Sequence, residues 1–114
     1  MNKEIKAKWL AALRSGEYVH GIAQLRIVEE GSPVKHCCLG VLCDIMSKEG
    51  KGKWIPGEPS TFVYGDDVRF GAVPDKLAEE LGAPELRSTS DGVAIINDRS
   101  KDYTPAIEYI EKNF

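Results

Sequence analysis

A chain of 114 residues with 42% apolar and 29% charged residues is the size of one domain, long enough to close a core without disulfides or metal. A formal charge of −3 with scattered lysines argues against a duplex nucleic-acid binder, which normally carries a basic stripe. No apolar run reaches the roughly 18 residues of a membrane span, Met1-Asn2-Lys3-Glu4 lacks the apolar stretch of a signal peptide, and three cysteines, two of them adjacent, make no disulfide framework.

In chain order, Asn2 caps a first helix to about Ser15. Ile5, Trp9, Ala12 and Leu13 recur on it at helical spacing, and Gly16 ends it. Tyr18 to Val28 is rich in strand formers. Glu30-Gly31-Ser32-Pro33 is a turn, and Val34 to Cys37 returns as the second strand of a hairpin. Next comes the densest apolar block, His36 to Met46. Leu39, Leu42, Cys43 and Met46 form one helical stripe and Cys38, Val41 and Ile45 a neighbouring one. A helix apolar on most of its circumference is buried, so this is the expected central helix. Gly40 near its start permits close approach of another backbone.

Residues 50–71 are rich in Gly and Pro and read as a long loop, with short strands at 53–55, 61–64 and 68–70. Pro74 opens a short helix to Leu81. Ser90 caps a short element through Asn97, and Thr104 with Pro105 begins a last helix carrying Ile107, Ile110 and Phe114. The expected fold is a single α+β domain over residues 1–114: a β-hairpin on a buried central helix, flanked by N- and C-terminal helices.

Several groups bear chemistry. A nucleophilic cysteine needs a lowered pKa, commonly from a helix N-terminus or a histidine. Cys37 stands at such a helix start beside His36, but neighbours on a strand point to opposite faces, and free Cys is more often a small buried apolar residue. Zinc wants paired ligands; C-C-x₄-C with isolated His20 and His36 does not supply them, and no metal or cofactor is expected. Asp66-Asp67 and Glu79-Glu80 read as solvated carboxylates. No phosphate-loop, dinucleotide or nucleophile-elbow motif is present. What remains suits a small anionic, aromatic ligand. Arg14, Arg26, Lys35 and His36 meet phosphate, Trp54, Tyr64 or Phe70 stacks on a base, and Asn97 and Asp98 hold ribose hydroxyls or a base edge. Taken singly, the aromatics equally fit a core, and the Asn-Asp pair a turn or cap.

Trp9-Leu10-Ala11-Ala12-Leu13-Arg14-Ser15-Gly16-Glu17-Tyr18, His36-Cys37-Cys38-Leu39-Gly40-Val41-Leu42-Cys43-Asp44, and Asn97-Asp98 followed by Ile107-Glu108-Tyr109-Ile110-Glu111 resemble a widespread family of small phage and prophage proteins. The order and spacing match across nearly the whole chain. The usual tail there is closer to N-D-x-G-x-S-F, from which Arg99 and Tyr103 depart. Proteins of this sort resemble phage anti-defence sponges, which sequester cyclic dinucleotides or cyclic ADP-ribose-type signals without cleaving them and are commonly oligomers. The resemblance implies a non-enzymatic homo-oligomer in the cytoplasm of an infected bacterium, binding a small nucleotide-like ligand. From other classes, the alternatives are a hydrolase, either using Cys37 or otherwise degrading the signal, and a module that binds a host protein.

Overall fold

The structure is a computed structural model, describing residues 1–87 and 92–114. It is an α+β domain with two small three-stranded sheets and five α-helices among the described residues. Helix α1 (Lys3–Arg14) starts at Asn2, whose side chain accepts the Ile5 N–H. Gly16, at φ 79°, takes the left-handed position after its end. Helix α2 (Cys38–Lys48) is the centre of the molecule: Cys38 through Cys43 are all buried. Burying each Leu or Val side chain there contributes about 1.5–3 kcal/mol. Helix α1 lies across α2, and the buried Trp9 indole N–H donates to the Cys38 carbonyl at 2.8 Å.

The segment from Tyr18 to Val28 is not one strand. It holds β1 (Val19–His20) and β2 (Arg26–Ile27), separated by a loop in which Ala23 adopts φ 67°. The reason is where its backbone hydrogen bonds go. The Gly21 carbonyl accepts from Asn97, the Ala23 N–H donates to Asp98, and the Leu25 N–H donates to the Phe70 carbonyl. Strand β3 (Lys35–His36) pairs antiparallel with β2, giving the expected hairpin with Arg26 opposite His36. It also pairs parallel with β1, so β3 is central in the order β1-β3-β2.

The Gly/Pro-rich stretch forms an antiparallel meander: β4 (Lys53–Ile55), β5 (Thr61–Tyr64) and β6 (Asp67–Arg69), close to the expected strands. One face carries the fully buried Phe62 and the partly buried Trp54 to the core. Helix α3 (Asp75–Glu80), a 3₁₀ turn (Pro84–Arg87), α4 (Val93–Asp98) and α5 (Thr104–Asn113) complete the domain. The expected cap at Ser90 lies outside the described residues. At the start of α5, Asp102 rather than Thr104 supplies the cap: its carboxylate accepts the Thr104 N–H, because Thr104 has already entered the helix.

Candidate functional site

The hairpin register places Arg26 beside His36 on one face of the β1-β3-β2 sheet. Strand β4 brings Trp54 to the same place. The Arg26 guanidinium lies 4.5 Å from the Trp54 ring centre, a cation–π arrangement, and the His36 and Trp54 rings meet edge to face at 5.9 Å. Three of the residues singled out from the sequence therefore converge from three strands.

Asp44, on α2, organises the cluster. Its carboxylate accepts from the Tyr18 hydroxyl at 2.5 Å and from the Trp54 indole N–H at 3.1 Å, with Lys48 at 3.4 Å. Burial alone would push this carboxyl up. The two hydrogen bonds and the charges of Lys48 and His36 outweigh it and hold Asp44 below its ordinary value. Tyr18 packs edge to face on His36, and Lys48 sits over the Tyr18 ring. A cleft of about 290 Å³ between α1 and α2 opens at Tyr18 and Lys48. Tyr18, Asp44 and Lys48 were missed in the sequence. One signal was available: Asp44 is the single charged residue inside an otherwise apolar block.

Two groups in this cluster lack hydrogen-bond partners among the described residues. His36 is only 8% exposed, and neither ring nitrogen has a hydrogen-bond partner among the described residues. The buried Arg26 Nε has none either, and among the described residues no carboxylate lies within ion-pair distance of Arg26. Burial lowers the His36 pKa below its ordinary value, opposed by Asp44 and reinforced by Arg26 and Lys48, so the ring is neutral near pH 7. Burial likewise lowers that of Arg26, with Asp44 opposing. A guanidinium always keeps its proton, so a partly buried positive charge stands here without a counter-ion in contact among the described residues.

The other sequence candidates lie elsewhere or are committed. Arg14 pairs with Glu111 at 2.5 Å on the surface between α1 and α5. Asn97 is wholly buried. Its Oδ1 accepts the Cys38 N–H, and its Nδ2 donates to the Gly21 carbonyl and to Asp98. With those bonds made, Asn97 is a structural bracket, not a free recognition group, and Asp98 anchors Ala23 in the same way. The Tyr64 hydroxyl is bonded to Glu80. Phe70 is 53% exposed, and Lys35 faces away beside Gly21.

Cys37 is the N-cap of α2, its sulfur accepting the Gly40 N–H at 3.3 Å. Cys37 lines a cavity of about 210 Å³ that Asp98 also borders. Burial pushes the Cys37 thiol up to about 11, Asp98 adding to the rise and the helix N–H groups opposing it. Cys38 and Cys43 are raised well above the ordinary thiol value. The His36 ring lies among Tyr18 and Trp54 instead of beside the sulfur. These are protonated thiols, unsuited to attack. Among the described residues no group of three or more His, Cys, Asp or Glu side chains gathers to hold a metal, and no helix is long and apolar enough to cross a membrane.

Residues 1–113 match a domain of unknown function, DUF8296. The chain belongs to this family. No match appears among curated proteins or solved structures. The DUF8296 match takes in the whole Arg26–His36–Trp54–Asp44 cluster and the Asn97 bracket.

Proposed function

We propose that this DUF8296 protein is a phage-encoded anti-defence protein that binds a nucleotide-derived immune signal, of the cyclic ADP-ribose type or related to it, and sequesters it uncleaved in the cytoplasm of the infected bacterium. The carrying observation is a pair of groups without hydrogen-bond partners among the described residues: the Arg26 Nε and the His36 ring nitrogens, held against Trp54. Buried polar groups normally find partners, and leaving one unpaired costs about 1–3 kcal/mol. A phosphate oxygen supplies the missing acceptor to Arg26 in a charge-assisted bond, and a neutral imidazole donates to a second oxygen. The ligand's planar part stacks on the aromatic cluster of Trp54 and Tyr18. The raised thiol pKa values support capture over cysteine-dependent cleavage. Likeness to the sponge class adds the expectation of a homo-oligomer.

The test is to mix purified protein with cyclic ADP-ribose-type molecules and cyclic dinucleotides, remove free ligand, heat the protein and identify what is released by mass spectrometry. Intact release of one class is expected, with Arg26→Ala lowering affinity by about tenfold or more through loss of the charge-assisted bond. An altered product indicates an enzyme, and failure of the folded protein to capture any member of the panel refutes the reading.

A further inference from the structure

We propose that the cleft between β2 and the β4–β5 turn is a second ligand site, built for a linear aliphatic polyamine. The cleft has a volume of about 470 Å³ and shares no residue with the Arg26–His36–Trp54 cluster, so this proposal stands apart from the signal-binding reading. Glu29 and Glu58 border it from its two sides, Ile27 and Val28 supply an apolar wall, and Ser60 lines it from the β5 side. Ser60 is 1% exposed, and its Oγ has no hydrogen-bond partner among the described residues. Neither Glu29 nor Glu58 is in an ion pair among the described residues. Among the described residues, no lysine or arginine lines the cleft.

These features select one chemistry. Carboxylates only accept hydrogen bonds, a serine hydroxyl accepts as well as donates, and an ammonium only donates. An anion meets two like charges and is repelled. A compact metal ion needs several oxygen ligands converging on one point, and no such group forms among the described residues. A chain with ammonium groups separated by methylenes fits: one ammonium reaches a carboxylate, another the Ser60 hydroxyl, and the methylenes cover Ile27 and Val28, the latter 45% exposed. The net charge of −3 draws such a cation toward the protein.

Spermidine titrated into the purified protein, followed by calorimetry and by amide chemical shifts, tests this. Expected are saturable binding, shifts centred on Ile27 and Ser60, and a loss of affinity of about tenfold or more in the Glu29→Gln/Glu58→Gln double variant. Both carboxylates are exposed, so that variant keeps the fold. Magnesium chloride at equal ionic strength should not reproduce the shifts. Absence of saturable binding, binding unchanged in the double variant, shifts that bypass Ser60, or the same response to magnesium would each overturn the proposal.

Discussion

The Asn97 side-chain oxygen accepts the backbone N–H of Cys38 at 3.0 Å, tying the last turn of α4 to the first turn of α2 across 59 positions of sequence. The same amide donates to the Gly21 carbonyl at 3.0 Å. One side chain thus satisfies an otherwise open N–H of the central helix and fixes the loop that divides β1 from β2. Asn97→Ala leaves both backbone groups buried and unpaired, and the expected loss is about 2–4 kcal/mol of stability. Urea melts read it directly. Asp98→Ala removes only the bonds to Ala23 and Asn97 and should cost nearer 1 kcal/mol. A drop in ligand capture in Asp98→Ala without a drop in melting temperature would return this corner to the binding site.

Gly40 makes a sharper case. Helix propensity alone predicts that Gly40→Ala stabilises α2 by about 1 kcal/mol. The fold predicts the reverse, since a Cβ on Gly40 would stand 1.7 Å from the Leu25 carbonyl oxygen and 2.6 Å from its carbon. Those are backbone atoms of a loop already held by Phe70, Asn97 and Asp98, so they cannot step aside cheaply. Gly40→Ala should destabilise by roughly 4 kcal/mol or more, the range of severe core overpacking. Soluble yield and thermal melting would show it, and a parent-like melt would mean that the Leu25 loop does not pack on α2 as described.

His36 links stability to pH. Its folded pKa lies below its ordinary value of 6.5 because burial disfavours the charged ring. The unfolded chain therefore binds the extra proton first, and stability falls as pH drops from about 6.5 toward the folded value. Asp44, held below its ordinary 3.8, adds a later loss as its own carboxyl protonates. His36→Phe keeps the ring contacts with Tyr18 and Trp54 but removes two partnerless nitrogens. It should flatten the upper part of the acid profile and stabilise the ligand-free protein by about 1–2 kcal/mol, while weakening capture. That exchange of stability for binding is the signature of a group kept for a ligand. Melting curves at several pH values, paired with affinity, decide it.

Cys37 should behave as a cap and not as a reagent. With its thiol held up to about 11 and 7% exposed, the folded protein should resist iodoacetamide near neutral pH and take up label only when unfolded. Cys37→Ser replaces one cap acceptor with another and should leave stability within about 1 kcal/mol of the parent. Rapid labelling of Cys37 in the native state, seen by mass spectrometry, would revive the nucleophile.

Local and periodic signals were legible in the residues themselves. Asn2 and Gly16 bound α1, and the near-continuous apolar run from Cys37 to Met46 could satisfy itself only as a buried helix. The Glu30–Pro33 turn set the hairpin that puts Arg26 across from His36. Each of these depends on neighbours within a few positions, where backbone geometry and side-chain period decide the outcome. The break between β1 and β2 was not legible, because it lies inside a stretch with strand-forming residues on either side, and Gly21, Ala23 and Leu25 give their backbone bonds to partners at positions 97, 98 and 70. Nor was the role of Asn97 or Asp44. An amide or a carboxylate carries no mark of whether it will meet a ligand, a helix end or a tyrosine, and that was decided only when the fold brought together groups tens of residues apart in a medium too poor in water to leave them unpaired.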